Sequence, residues 1–373
     1  MAKLNWKSII GWLIAAIVVA CIIGTNMYQQ RQEKADGKRT VYAVLPLSGQ
    51  FASYGKDVQK TMNMYVAENK PSFKIKYIDS DANPTKAVTA LQQATLNDDE
   101  PIVISAFAFI SSALAPVVEQ KKGFLFAIST VTISTNSHSY QRMSRSAEDI
   151  MKVIAPYLSD NYKKVSIVYT QDDYGLKEFN FLKDEFAKTG VEVLSDIPLI
   201  MSQTDVRNEV VKLKSVPSDA VIVLGMTTQG YINMIRELKL QEYQGQVIAD
   251  SGLTNPPVMK GVGPLSEGVI LSAMTAEVDM EQPEKVQKLK EKIAQNDIPM
   301  YFIVLEAVDT LDLIQYILDN KLPFSQDTFT KLKEWDGVGG KMTFTGNGDA
   351  SAISYIMARI KNGKIIPVGS NGQ

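Results

Sequence analysis

The chain is poor in the residues on which most enzyme chemistry depends. Among 373 residues it has one histidine, His138, and one cysteine, Cys21. A single histidine excludes a histidine-based metal cluster and leaves a Ser-His-Asp triad hanging on one side chain. His138 itself lies in the polar run Thr135–Ser139, the pattern of a solvated loop. A single cysteine excludes an intramolecular disulfide, so the fold rests on its cores even in an oxidising compartment. Cys21 falls in an apolar segment, which leaves no thiol nucleophile in the remainder. There is no P-loop and no G-x-S-x-G motif, and the glycines near Gly49 and Gly55 lack dinucleotide-site spacing. Neither sign of charge is in excess: the formal net charge is −2, which argues against nucleic acid or an anionic membrane surface as partner. No solenoid-period repeat and no low-complexity block is visible. These absences suit a binding protein without metal or cofactor rather than an enzyme.

What is present is ordinary globular material, 45% hydrophobic and 21% charged. The length exceeds one usual core, so two domains are expected. The N-terminus stands apart. Lys3 and Lys7 precede Ser8–Gln30, a stretch without formal charge whose centre, Ile9–Gly24, is strongly apolar. Residues 1–28 read as an export signal or a membrane anchor, and 29–39 as a polar tether. Val18-Val19-Ala20-Cys21 is similar to the lipobox of bacterial lipoproteins, which implies a lipidated Cys21. Ile22 and Ile23 favour the other reading, an uncleaved spanning helix with Cys21 as an apolar filler. Either one places the globule outside the cytoplasmic membrane.

From Thr40 strands and helices alternate. Apolar β-prone runs at Thr40–Leu47, Phe73–Asp79, Ile102–Ser105 and Phe124–Ile128 are separated by helical periodicity, and a second set follows at Val165–Tyr169, Val191–Ile197, Ala220–Gly225 and Gln246–Ala249. This is the α/β pattern of doubly wound parallel sheets. The end differs: a long helix over Met300–Asn320, a shorter one over Ser325–Trp335, then strands at Lys341–Thr345, Ile353–Ile360 and Lys364–Val368.

Ligands of open α/β sheets bind at the carboxyl ends of the strands, so the loops there are the candidates. After the first strand comes Pro46–Gly55, PLSGQFASYG. After the third comes Ala106–Ser112, with Ser111 and Ser112 near a helix start whose free N–H groups favour an anion. Ser129, Thr130 and Thr132 follow the fourth. In the second set, Tyr169–Gly175 reads YTQDDYG, Gly225–Gln229 reads GMTTQ, and Ala249–Pro256 reads ADSGLTNP. For Ser111 and Ser112 plain N-capping competes with ligand binding. Asp172 and Asp173 read as turn or capping residues. Tyr301 and Phe302 suit either the cleft or the core.

These loops, in this order, resemble those of the type I periplasmic binding proteins, the branch that includes leucine/isoleucine/valine-binding proteins. The resemblance implies two doubly wound parallel-sheet lobes joined by three crossings, near residues 146, 273 and 341. It assigns 40–146 plus 273–341 to lobe 1, and 147–272 plus 342–373 to lobe 2. It implies that Tyr54 packs on the ligand, that Thr130 and Thr132 contact its polar groups, and that Tyr174 caps it from the other lobe. Phe109 stands where the family has a serine, so either Ser111 takes that role or Phe109 narrows the pocket. Thr227 and Thr228 replace a frequent aromatic. Ser251 occupies the usual position of the acid that pairs with a ligand ammonium, with Asp250 one residue earlier, where it pairs with the ammonium or braces a backbone N–H. The implied function is the substrate-binding component of an ABC importer, with an amino acid, branched-chain or aliphatic, as ligand and permease subunits as partners. The alternative is a membrane-anchored ligand sensor or a regulator of envelope enzymes.

Overall fold

The computed structural model describes residues 37–49, 51–352 and 355–369. The apolar N-terminal segment and Cys21 lie outside the described residues. Among those described, no helix is long and apolar enough to cross a membrane.

The first sheet holds β1 (Arg39–Leu45), β2 (Phe73–Asp79), β3 (Ile102–Ala106), β4 (Phe124–Ile128) and β5 (Tyr140–Arg142), all parallel, in the order β2-β1-β3-β4-β5. Strands buried on both faces read as continuous apolar runs, which is why IVISA and FLFAI form β3 and β4. Side chains alternate between two cores. Val41, Ala43, Ile102, Ile104, Phe124 and Phe126 face one way, where α1 (Ala52–Asn69) and the late helix α10 (Phe302–Asp319) pack. Tyr42, Val44, Val103, Leu125 and Ala127 face the other, toward α2 (Pro84–Ala94) and α3 (Ala108–Gln120).

The chain leaves this sheet through Ser146, which caps α4 (Ala147–Asn161) in a reciprocal capping box with Asp149. The second sheet uses β6 (Lys164–Thr170), β7 (Glu192–Leu199), β8 (Ala220–Leu224), β9 (Gln246–Ala249) and β10 (Ile270–Met274), with β14 (Tyr355–Lys361) and β15 (Lys364–Pro367). Their order is β15-β14-β10-β9-β8-β6-β7, the last two chain segments being antiparallel. Here too Ile167, Ile222 and Ile248 face one core, and Val168, Val221, Val223 and Val247 the other. Helices α5 (Asp173–Thr189), α6 (Arg207–Lys214) and α7 (Thr228–Leu240) complete the layers, with the short α8 (Pro256–Val262) after β9. After β10 the chain runs through α9 (Glu284–Gln295) to α10, twelve of whose 18 residues are buried.

Two expectations are corrected at the end of the chain. The helix expected over Ser325–Trp335 is α11 (Gln326–Leu332); Lys333, at φ 63°, stops it, and β11 (Glu334–Gly337) follows. The strand near 341–345 is β12 (Gly340–Phe344), which pairs with β11 and β13 (Ala350–Ala352) in a separate three-stranded sheet. Phe344 packs edge-on against Phe329, which stacks on Phe124, so this small sheet belongs to the first core. The last passage into the second sheet therefore comes at Tyr355, not near residue 341.

Where the chain passes between lobes, charges are buried. Arg145 is fully buried, 3.4 Å from Glu306 of α10, and it also donates to the carbonyl of Gly339. Asp309, one helical turn on, accepts from the N–H groups of Val338 (2.6 Å) and Gly339 (3.0 Å). Arg142 pairs with Asp349 at 2.5 Å and donates to the carbonyls of Ser144 and Ala350. Burial pushes Glu306 up to about 7 and Asp309 up to about 6, against the pull of Arg145.

Candidate functional site

In the first sheet the strand order reverses between β1 and β3, and the crevice at such a switch point is where ligands bind. The loop after β1 is drawn tight by Asp79. Its carboxylate accepts from the N–H groups of Leu47 (3.0 Å) and Ser48 (3.2 Å) and from the Ser48 hydroxyl (2.6 Å). Burial works against the charge, but the Ser48 hydroxyl and the surrounding N–H groups outweigh it and hold Asp79 at about 2. Gly55, in the first turn of α1, lets the helix pack against this loop, since a Cβ there would lie 2.2 Å from the carbonyl oxygen of Pro46. The loop after β3 is shorter. It turns at Phe107, at φ 70°, directly into α3.

These two turns bring aromatic rings together. Phe51 meets Phe107 at 5.0 Å between centroids, Tyr54 lies edge-on to Phe107 at 6.3 Å, and Phe109 stacks parallel on Phe107 at 5.8 Å. Phe109 is 46% exposed. Behind Tyr54 stands Tyr301, which is buried and donates to Asp57, a core position rather than a cleft one. Neither Phe51 before α1 nor Phe107 before α3 supplies a side-chain cap. In α1 the first N–H, that of Ala52, bonds to the Gly49 carbonyl at 3.2 Å, and no cap-residue side chain serves the start of either helix.

The second lobe is built otherwise. Asp172 caps α5 by accepting from Gly175 N (2.9 Å), and Thr227 caps α7 by accepting from Gly230 N (3.1 Å). Gly225 stands at φ +65°, and a Cβ there would sit 2.6 Å from the Cα of Gly175, so its bareness lets the two strand-end loops touch. The lobes meet at Tyr54, whose hydroxyl accepts from Asn255 Nδ2 at 2.5 Å and faces Thr228. Burial between the lobes raises the Tyr54 hydroxyl above its ordinary range. Asn255 Oδ1 is buried and has no hydrogen-bond partner among the described residues.

Among the sequence-derived candidates, Tyr54 and Thr228 face each other where the lobes meet, and Phe109 stacks on Phe107. Ser111 is fully buried, bonded to Ser105 Oγ at 2.7 Å and donating to the Phe107 carbonyl at 2.8 Å, so it anchors the helix start from inside. Thr132 donates to Asp349 at 3.2 Å, and the carbonyl of Thr130 accepts from Ala147 N. Asp250 is fully buried and braces backbone: it accepts from Gly225 N (2.7 Å), Gly252 N (2.8 Å) and the Tyr231 hydroxyl. Ser251 lies buried beside Tyr355, and its carbonyl accepts from Thr254. Tyr174, beneath the second lobe's surface, faces Glu178 and Asp250, and burial drives its hydroxyl far up. Sequence reasoning missed Phe107 and Asn255. The density of aromatics in FAF was the only signal for the first, and the Asn-Pro pair before α8 the only one for the second.

Two lobes of mainly parallel sheet that meet beyond their strand ends, at Tyr54 and Asn255, have the architecture of a two-lobe binding protein. The chain belongs to the periplasmic binding protein family, whose model matches residues 40–364, and to its type I branch. The family comprises extracytoplasmic solute-binding proteins of the ABC-transporter type. No curated protein matches the chain in sequence. It is similar in fold to an extracellular ligand-binding receptor from Desulfohalobium retbaense (TM-score 0.73, 19% identity), covering 89% of this chain but only 60% of that one. A leucine-binding protein from Thermotoga maritima is similar over 88% of this chain and 97% of its own (TM-score 0.74, 17% identity). A solute-binding protein from R. palustris in complex with benzoate is similar over 89% and 96% (TM-score 0.75, 16% identity).

Proposed function

We propose that the chain is the substrate-binding component of an ABC importer, and that its ligand is a small carboxylate with a flat or branched apolar body. The carrying observation is the pairing of two helix starts that have no side-chain cap with the rings of Phe51, Tyr54, Phe107 and Phe109. Helix N-termini attract an anion, and a parallel aromatic pair offers a face to an apolar group. The carboxylate would lie on the first lobe, the body against Phe107 and Phe109, and the second lobe would close through Thr228 and Asn255. The unpaired Asn255 Oδ1 would accept a donor on the ligand. With Asp250 engaged by backbone, an ammonium partner is not at hand at the position expected. A leucine binder and a benzoate binder share the fold. The first lobe's features suit the acid of either, and the rings suit the aromatic one better. Lipidated Cys21 or an uncleaved N-terminal helix would hold the protein at the membrane, where the closed form would dock on permease subunits.

A thermal-shift panel of aliphatic amino acids, benzoate-type acids and matched uncharged amides tests this. A ligand at about a hundred times its dissociation constant adds roughly 2.7 kcal/mol of stability. The expected hits are carboxylates, aromatic ahead of aliphatic. Stabilisation by the amides and not by the acids would sink the assignment of the anion site. Stabilisation by aliphatic amino acids alone would restore the narrower amino-acid reading.

A further inference from the structure

Glu178 has no part in the site above and no ordinary explanation. It lies in the second turn of α5, fully buried, and among the described residues neither carboxyl oxygen makes a hydrogen bond of normal geometry. The groups that face it are Asp250 from the loop after β9, Tyr174 and Asp172 from the start of its own helix, and Tyr231 from α7. Tyr355, at the start of β14, faces Tyr174. An ionised carboxylate cannot stay buried without a partner, and two side by side cannot both be charged.

Counting lone pairs resolves the pair. A carboxylate accepts about four hydrogen bonds, two at each oxygen. Asp250 Oδ1 already takes Gly252 N and the Tyr231 hydroxyl, while Oδ2 takes only Gly225 N. All three partners are donors, so Asp250 is the acceptor of the two carboxyls. One acceptor position is left, on Oδ2.

We propose that Glu178 is a neutral carboxylic acid at neutral pH that donates its proton to Asp250, and so acts as a positioning residue for the loop that closes the cleft. Asp250 ties the strand-end turn at Gly225 to the turn at Gly252, and three residues further on stands Asn255, the second lobe's contact with Tyr54. Loss of the Glu178 proton puts two negative charges together under that loop. The burial that raises Glu178 far above the usual carboxylate range sets the sign. The contribution is complete in acid and lost as the medium turns alkaline. Only the consequence for ligand capture rests on the solute-binding reading.

The test compares wild type with Glu178→Gln, which keeps a neutral donor and cannot ionise. Infrared difference spectra at neutral pH are expected to show the carbonyl band of a neutral carboxylic acid in wild type that Glu178→Gln lacks. Hydrogen exchange at the N–H groups of Gly225 and Gly252 is expected to quicken in wild type as the medium turns alkaline, relative to Glu178→Gln corrected for intrinsic exchange. A carboxylate rather than carboxylic-acid signal lost on mutation would overturn the proposal. So would melting temperatures of wild type alone that climb with added ammonium or alkali cations, since a cation would then fill the place of the proton. Should Glu178→Gln fail to fold, Glu178→Met replaces it in the infrared comparison: loss of a carboxylic-acid band is the expected result, and loss of a carboxylate band overturns the proposal. None of these readouts needs a solute, so a failed ligand panel and a failed proton assignment are told apart.

Discussion

Arg145→Met is expected to cost about 3–5 kcal/mol of stability, measured by urea unfolding, because it leaves buried carboxyls without their counter-charge. Arg145 is fully buried and ties three segments: the passage out of the first lobe, helix α10 through Glu306, and the small sheet through the Gly339 carbonyl. Glu306 also accepts from the Ser144 hydroxyl at 2.7 Å, and Asp309 holds the N–H groups of Val338 and Gly339. The pH dependence carries a sign. With Glu306 at about 7 and Asp309 at about 6, both above their unfolded values, the native state holds extra protons between roughly pH 4 and pH 7. Their contribution is complete at the acid end of that window and declines as pH rises through it. In Arg145→Met the loss moves to higher pH, since the cation that favoured ionisation is gone. A variant within about 1 kcal/mol of wild type and with an unchanged profile would mean that Arg145 is replaceable by packing alone, as some buried ion networks are.

Asp250→Ala is the second large effect. It strips the acceptor from two backbone N–H groups and from the buried Tyr231 hydroxyl. Each unsatisfied buried donor costs about 1–3 kcal/mol, so a loss of several kcal/mol is expected, reduced where water enters the space. Asp250→Asn keeps an acceptor oxygen and should recover part of it. The same substitution frees the loop that carries Asn255, so lobe closure suffers together with stability. This pattern differs from that of a ligand-contacting acid, whose removal costs affinity and leaves stability nearly intact. Urea titrations of the two variants separate these roles.

The sheets were legible because their strands are buried on both faces: IVISA, FLFAI and AVIVL leave little else to be. Short pieces without an apolar run were not legible. Tyr140–Arg142 is a strand because it completes the sheet edge beside β4, and Pro256–Val262 is a helix because Asn-Pro starts it, while neither has periodicity enough to announce itself. The end of the chain was misread for a related reason. Helical spacing in Ser325–Trp335 says nothing of the backbone reversal at Lys333 or of the strand pairing beyond it. In the site, the loops could be placed because they follow strands, but the direction of each side chain could not. Ser111 points inward and Phe109 outward, as residues two apart on a helix must lie on opposite sides, and only the packing of Ser111 against Ser105 decides which is which. Asp250 was identified with both of its roles open, and three donors surround it, two of them backbone N–H groups. Glu178 carried no signal, because a glutamate four residues after a tyrosine in a polar helix looks solvated.

The central claim is that a solute is held between the aromatic rings of the first lobe and the closing loop of the second. Isothermal titration of the strongest stabiliser from the panel into wild type and Phe107→Ala tests it most directly. Phe107 touches Phe51, Tyr54 and Phe109 and is only half-buried, so its loss should leave the fold in place and remove the wall against which the ligand lies. One site per chain is expected in wild type, with affinity falling about tenfold or more in Phe107→Ala, a change of about 1.4 kcal/mol. Equal affinity in the two proteins, with the variant folded, would place the ligand elsewhere and contradict the account.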